Sequence, residues 1–398
     1  MVEREKNESS VSSFAPSAGA ARVVHLTTVH HPFDPRIFHK QLRSLSEEGF
    51  DTHLIAPHSQ TEHTNGVTIH SLPHPKNRAQ RLALQAQLFR KARSLEAALY
   101  QLHDPELIPL AVLLGRRTEA RIVYDMHEDY RTKGAVLGRG LRALERWGFG
   151  EVDHVLFAEE SYRSILGGWD VERTHIANYF KPVGPAMSAS TAEGGERASR
   201  QPTRLLYTGT IARKRGLGTM LDLASKIQRQ RRPETVTIVG VCHRSKQRTA
   251  AETRIQDQGL SSVVTRVGWD TYVLPSSMPP HYRQADVGLA LCEPHPNLVG
   301  SLLTKFYEYL HYGLPIICSD FPLWRRFIEE NDCGAVVPPG DAEAVLDVLA
   351  RWRERPEVYR AYSQNARAAA DQYRWDEMGQ RLVQVYRNLL CTADEPAD

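Results

Sequence analysis

The chain lacks most of the features that assign a protein quickly. Its five cysteines, Cys242, Cys292, Cys318, Cys333 and Cys391, are odd in number and include no Cys-x-x-Cys pair. That excludes a disulfide framework and a zinc ribbon, and it fits reduced thiols in a cytoplasmic protein. No apolar run reaches the roughly 18 residues that a membrane span needs. Neither sign of charge dominates: 50 Lys and Arg stand against 47 Asp and Glu, for a net +3. So small an excess gives no reason to expect a nucleic-acid partner. Met1 to Gly19 is rich in Ser, Glu and Ala with no hydrophobic segment, so residues 1–21 are expected to be a disordered tail and not a signal peptide.

Whole motif classes are missing too. There is no Gly-x-x-x-x-Gly-Lys-Ser/Thr loop and no Gly-x-Gly-x-x-Gly after the first strand, against a P-loop NTPase and a dehydrogenase. His-Glu-x-x-His and Gly-x-Ser-x-Gly are absent, so zinc proteases and α/β-hydrolases drop out. No Asp-x-Asp pair offers a metal to a nucleotide, and the seventeen histidines show no ligand spacing. No metal or organic cofactor is expected.

What remains is alternation. β-branched runs at Arg22–Thr28, Thr52–Ala56, Arg121–Tyr124 and His154–Ala158 are separated by helical patterns such as Arg36–Glu48, which stops at Gly49. Lys181–Thr203 breaks the rhythm with Ala, Ser, Gly, Glu and Pro and is expected to be a linker. Strands then resume at Arg204–Tyr207, Thr235–Val239, Val263–Val267, Val287–Leu291 and Ile316–Cys318, with helices at Thr219–Arg229, Ala342–Trp352 and Arg374–Leu390. The pattern predicts an α/β protein of two Rossmann-like domains facing each other across a cleft. The first is residues 22–182, with a closing helix at 374–392. A linker at 183–202 leads to the second, residues 203–373.

The polar clusters fall where such sheets bind ligands, after strands. Ser301–Ile317 places Thr304 and Lys305 at a helix start and Glu308 one turn on, before Gly313-Leu314-Pro315. A helix N-terminus with a lysine suits a phosphate, and the carboxylate suits a ribose diol. The same spacing serves an amphipathic helix with a surface Lys–Glu pair. Tyr207–Leu217 runs strand, Gly209, then Arg213, Lys214 and Arg215 before a helix, which suits a diphosphate or a solvated basic loop. The first half offers His30, His31, Asp34 and Arg36 after its first strand, then His103 and Asp104, then Asp125, His127 and Glu128. A histidine and a carboxylate at a strand end can move a proton or orient a hydroxyl, and Asp104 and Asp125 can equally cap turns. Gly138–Trp147 interleaves Arg139, Arg142 and Arg146 with Leu141, Leu144 and Trp147, a basic edge beside an apolar stripe. That fits an anionic membrane surface or an ordinary packed helix.

These motifs resemble the retaining GT-B glycosyltransferases called family 4. His31-Pro32-x-Asp34-x-Arg36-Ile37-Phe38, His103-Asp104, Asp125-x-His127-Glu128 and Thr304-Lys305-Phe306-x-Glu308-Tyr309 before Gly313-Leu314-Pro315-Ile316-Ile317 match in order and spacing, over roughly Arg22 to Leu390. The resemblance implies transfer of a sugar from a nucleoside diphosphate sugar to a hydroxyl of a glycan, lipid-linked or small acceptor, with retention and without a catalytic metal. It implies catalytic roles for His127, Arg215 and Lys305. Donor contacts would come from Gly209, Arg213, Lys214, Arg215, Thr304, Lys305 and Glu308. Acceptor or cleft positions would be His31, Asp34, Arg36, His103, Asp104, Asp125 and Glu128. One departure stands out: the family's first glutamate, which touches the transferred sugar, falls at Gly300, and Glu293 or Asn297 would have to substitute. A second is Thr210, where the family has an arginine. A binding protein that has lost catalysis and a nucleotide-sugar epimerase of the same fold are the alternatives. The resemblance also implies a protein that touches the inner membrane face peripherally, if its acceptor is lipid-linked.

Overall fold

The structure, a computed structural model, describes residues 19–127, 135–182 and 203–391. The expected tail up to residue 18, the expected linker and Glu128 lie outside the described residues. The chain divides into two compact units, one of Met1–Ala177 with Glu377–Asp398, the other of Asn178–Asp376. The first therefore stops a few residues short of the expected 182. Phe180 pairs with Arg374, its N–H donating to Tyr373 and its carbonyl accepting from Trp375, which ties this segment to the second unit.

The first unit is built on a sheet of β1 (Arg22–Leu26), β2 (Asp51–Pro57), β3 (Glu62–Thr64), β4 (Val67–Leu72), β5 (Leu99–Leu102), β6 (Arg121–Met126), β7 (His154–Phe157) and β8 (Arg173–His175). Their order is β3-β4-β2-β1-β5-β6-β7-β8, parallel throughout except for the β3–β4 hairpin. Val23, Val24 and Leu26 are fully buried, as expected of a strand covered on both faces. A π-helical stretch, Pro35–Leu42, runs into α1 (Arg43–Glu47). Then α2 (Arg78–Ser94), α3 (Ile108–Thr118) and α4 (Ala135–Gly148) connect β4, β5, β6 and β7 in turn.

In the second unit β9 (Arg204–Thr208), β10 (Thr235–Val241), β11 (Val264–Trp269), β12 (Val287–Ala290), β13 (Ile316–Ser319) and β14 (Gly334–Val337) are all parallel, in the order β11-β10-β9-β12-β13-β14. The helices that matter below are α5 (Leu217–Arg229) and α6 (Thr304–His311). The chain closes with α7 (Trp375–Cys391), which is part of the first unit from Glu377 onward.

Each sheet reverses its winding beside its first strand: at β1/β5 in one unit and at β9/β12 in the other. Such a reversal opens a crevice at the carboxyl ends of the strands, because the connections on either side leave toward opposite faces. Thr27, Thr28, His103 and Asp104 line one reversal, and Thr208, Gly209, Leu291 and Cys292 the other.

Candidate functional site

In the second unit the loop after β9 is pressed against its neighbours. Gly209 (φ +106°) faces Gly240 (φ +143°), and a Cβ on Gly240 would lie 1.9 Å from the Gly209 carbonyl oxygen. Gly216 (φ +86°) presses on the Leu291 carbonyl in the same way, so the turn that starts α5 is fixed on the end of β12.

Lys305 enters this crevice from the first turn of α6. It is 4% exposed, and its Nζ has no hydrogen-bond partner among the described residues. The ammonium sits 3.5 Å from the centroid of the Tyr207 ring and close to Gly209. Burial lowers its pKa from 10.5 to about 7, Cys292 opposing and Arg215 reinforcing that fall. A buried cation with unused donors, beside Arg215 and a helix N-terminus, is a seat for an anion.

One turn on, the Glu308 carboxylate accepts a 2.5 Å hydrogen bond from the Tyr282 hydroxyl. Tyr282 is buried and stacks on Tyr312, with ring centroids 4.7 Å apart. Tyr309 anchors the helix by sharing its hydroxyl between the Leu206 and Leu289 carbonyls, each 3.1 Å away, so it straddles β9 and β12. Sequence reasoning missed Tyr282, since nothing in a lone tyrosine distant in the chain signals such a partner, and it read Tyr207 only as part of the strand before Gly209. Thr304 accepts from the Asn178 amide at 3.1 Å.

The basic triplet divides. Arg215 is half-buried near Lys305, whereas Arg213 is mostly exposed and lies 3.5 Å from Glu293. Arg213 and Lys214 line a cavity of about 320 Å³ with Ala212, Arg244, Gln247, Glu293 and His295. Glu293, one of the two substitutes weighed for Gly300, is thus engaged with the triplet. Asn297 lies in the short helical turn Pro296–Val299, where its N–H donates to His295.

In the first unit, Asp104 is buried and accepts from the Thr28 N–H at 2.6 Å and from the Thr27 and Thr28 hydroxyls. His127 donates from Nδ1 to the Asp125 carbonyl at 2.9 Å, which leaves Nε2 to face His30 Nε2 at 3.1 Å. His30 Nε2 is also 3.5 Å from Asp104. Asp34 caps the π-helical stretch through the Arg36 and Ile37 N–H groups. Burial raises its pKa, but His30, those N–H bonds and His127 outweigh it and hold it below the ordinary value. Of the two adjacent histidines, the resemblance pointed to His31. The structure puts His30 against His127 and leaves His31 exposed beside Phe33.

Arg36, His103 and Asp125 are not at the crevice surface. They are 4%, 1% and 0% exposed. Arg36 grips both Asp125 oxygens, at 2.9 and 2.6 Å, and donates to the Ile176 carbonyl. His103 and Gln41 complete the coordination of Asp125 at 3.1 and 3.0 Å. The chain of bonds continues from His103 to His25, to Tyr386 of α7, to Gln101 and back to Gln41. These side chains were expected to meet an acceptor; their polar atoms are spent on one another. His103, Asp125 and His127 are close enough together to suggest a metal set, but the Arg36 guanidinium already occupies the carboxylate.

Two family models cover most of the chain. Residues 35–178 match a glycosyl transferase 4-like domain, and residues 193–369 match glycosyl transferases group 1. A phosphatidyl-myo-inositol mannosyltransferase of Mycobacterium leprae is 23% identical over 296 residues, 74% of each chain. Sucrose-phosphate synthase from Thermosynechococcus elongatus superposes with a TM-score of 0.70 at 16% identity, over 94% of this chain and 100% of that one. HepE of Anabaena, solved with UDP-glucose, gives 0.67 at 12% over 92% and 99%. With both halves matched and the fold shared, the chain is a glycosyltransferase of the GT-B fold.

Proposed function

We propose that the enzyme transfers a sugar from a nucleoside diphosphate sugar to a hydroxyl acceptor, with retention of anomeric configuration and no catalytic metal. The observation that carries this reading is the buried, unpartnered Lys305 ammonium at the β9/β12 reversal. A departing diphosphate gathers negative charge as the glycosidic bond breaks. Lys305, Arg215 and the α6 N-terminus are already oriented toward that charge and need little reorganisation to stabilise it. Glu308, held by Tyr282, keeps an oxygen for the ribose. His127 and His30, whose Nε2 atoms face each other at 3.1 Å while His127 Nδ1 is held by the Asp125 carbonyl, are the groups that would meet the sugar or the acceptor hydroxyl. HepE binds UDP-glucose, and the mannosyltransferase is named for a lipid acceptor. A glycan or lipid-linked acceptor at the cytoplasmic membrane face is the finer reading for this chain. No helix among the described residues is long and apolar enough to cross a membrane.

Thermal shift with UDP-, GDP- and dTDP-sugars identifies the donor, because a ligand selective for the folded state raises its stability. The anomeric configuration of the product, read by NMR, then tests retention; an inverted product refutes it. Within the donor site, Glu308→Gln is expected to raise donor KM with little change in kcat. Tyr282→Phe is expected to move KM the same way by a smaller factor, because it frees the carboxylate to rotate without removing it. Initial-rate kinetics check both, and an unchanged KM in Glu308→Gln would place the ribose elsewhere.

A further inference from the structure

We propose that the cavity between the loops after β9, β10 and β12 is a second anion site, apart from the diphosphate seat. Its ligand is a phosphate monoester that carries hydroxyls, a sugar phosphate being the simplest. β10, β9 and β12 are neighbours in the sheet, so their loops emerge side by side at the carboxyl ends, where such sheets bind ligands. Backbone bonds tie the loops together. The Ile211 N–H donates to the Val241 carbonyl at 2.8 Å, and the Glu293 N–H to the Lys214 carbonyl at 3.0 Å. The cavity they enclose, about 320 Å³, lies at the lower end of the range for small-ligand pockets. Gly209, Arg215, Thr304, Lys305 and Glu308 are not among its lining residues, so a ligand here leaves the diphosphate and ribose positions open.

Charge sets the first half of the ligand. Three cations, Arg213, Lys214 and Arg244, line the cavity against one carboxylate, Glu293, which lies 3.5 Å from Arg213. The helix Ser245–Asp257 starts at the same wall, and no side chain caps its first turn, so its dipole reinforces the cations. His295 accepts the Asn297 N–H on Nδ1 at 3.3 Å, which puts its own proton on Nε2. Burial first, then Lys214 and Arg215, hold its pKa below the ordinary value, so His295 serves as a neutral donor. Cations and donors alone would suit bare phosphate. The acceptors select the second half. Gln247 Oε1 is shut off from water and has no hydrogen-bond partner among the described residues. A buried oxygen left unpaired costs stability until a donor reaches it. The oxygens of a phosphate monoester dianion only accept, so that donor is a hydroxyl of the esterified group. Glu293 accepts likewise once a ligand turns Arg213 toward its phosphate. A solvated basic loop, the other reading of this triplet, would not enclose an unpartnered amide oxygen.

Thermal shift and calorimetric titration of the full chain with glucose 6-phosphate, orthophosphate and glucose, at constant ionic strength, test it. Glucose 6-phosphate near saturation is expected to raise the melting temperature by about 2–4 °C, orthophosphate by less and glucose not at all. Arg244→Gln should weaken glucose 6-phosphate binding by about tenfold, because a charge-assisted bond is lost. Gln247→Leu should abolish the preference for glucose 6-phosphate over orthophosphate without lowering the melting temperature of the free protein. A glutamine with a purely structural role would give the reverse. The glucose 6-phosphate shift should persist in Lys305→Met, and the shift caused by the donor sugar nucleotide should persist in Arg244→Gln. Incubation with that donor then separates two sources, both of which support the site: a glycosylated sugar phosphate marks a phosphate carried by the acceptor, an unaltered one a free effector. No shift with glucose 6-phosphate, or one abolished by Lys305→Met and untouched by Arg244→Gln, overturns the proposal and leaves the transferase reading intact. A donor shift lost in Gln247→Leu, with no response to glucose 6-phosphate, overturns it in favour of a pocket for the donor's own sugar.

Discussion

Lys305→Met is expected to make the protein more stable and nearly inactive at once. The Lys305 pKa falls from 10.5 in the unfolded chain to about 7 in the fold because burial strips its ammonium of water. The folded state therefore binds fewer protons than the unfolded state between those two values, and stability rises with pH across that window. At pH 7 and below the cost of the buried ammonium is present in full, up to about 5 kcal/mol by the size of the shift. Methionine fills a similar volume, needs no hydration and gives up only the contact with the Tyr207 ring. The variant's melting temperature should exceed the parent's by several degrees near pH 7, the gain shrinking toward pH 10. Its kcat/KM should fall by roughly 10²–10³, the range for removing one preorganised donor to a developing anion. Arg215→Ala should lower turnover similarly without the stability gain. A Met variant that melts lower, or turns over like the parent, would remove Lys305 from the diphosphate site. The same titration makes donor affinity in the parent decline above about pH 7, as the free enzyme loses the proton that the diphosphate favours.

How much of this was legible beforehand depends on the kind of signal. The parallel sheets were, because strands buried on both faces write themselves as continuous apolar runs such as Val287–Ala290. The Asn65-Gly66 hairpin that joins β3 to β4 was also written in the sequence, in the turn dipeptide, but its strands are too short and mixed to attract notice. By contrast, α2 was not readable, since Leu82 points away from the core and its arginines blur the stripe. His103 and Asp104 came out at the end of β5 beside one winding reversal and Gly209 at the end of β9 beside the other, as strand-end loops should, whereas Asp125 and His127 stand at the end of β6, one strand further along. What sequence could not separate was contact with a ligand from contact within the fold. Asp104, Asp125 and Arg36 all stand in polar clusters at strand-end loops, yet all three are buried and bonded within the fold, Asp104 by Thr27 and Thr28 and the other two by each other. The partners that make the difference, Gln41, Gln101, Tyr386 and the Ile176 carbonyl, are 84, 24, 261 and 51 residues from Asp125, and no local pattern announces them. His30 was passed over because its role depends on the rotation of a loop, which spacing does not encode.

Arg36→Met is accordingly expected to damage the fold first and activity only as a consequence. Burial alone would raise the Asp125 pKa; Arg36, then His103 and His127, hold it well below the ordinary carboxylate value. A carboxylate depressed in this way lends stability above its unfolded pKa of 3.8, and the contribution is lost only as pH falls through the folded value. Without the guanidinium, a charge at 0% exposure keeps only Gln41 and the two histidines His103 and His127. Breaking such a pair from one side costs roughly 3–5 kcal/mol. For a unit of this size that is a fall in Tm of roughly 10 °C. The deficit should shrink in acid, where Asp125 can take up a proton. Adding Asp125→Asn should recover part of it, because the uncompensated charge goes while an acceptor and a donor remain for Gln41 and His103. Calorimetry of the single and double variants measures that coupling directly. Had Arg36 served to hold an acceptor, the single variant would melt with the parent and lose turnover alone. The bonds to both oxygens of Asp125 and to the Ile176 carbonyl leave the guanidinium no free edge for that task.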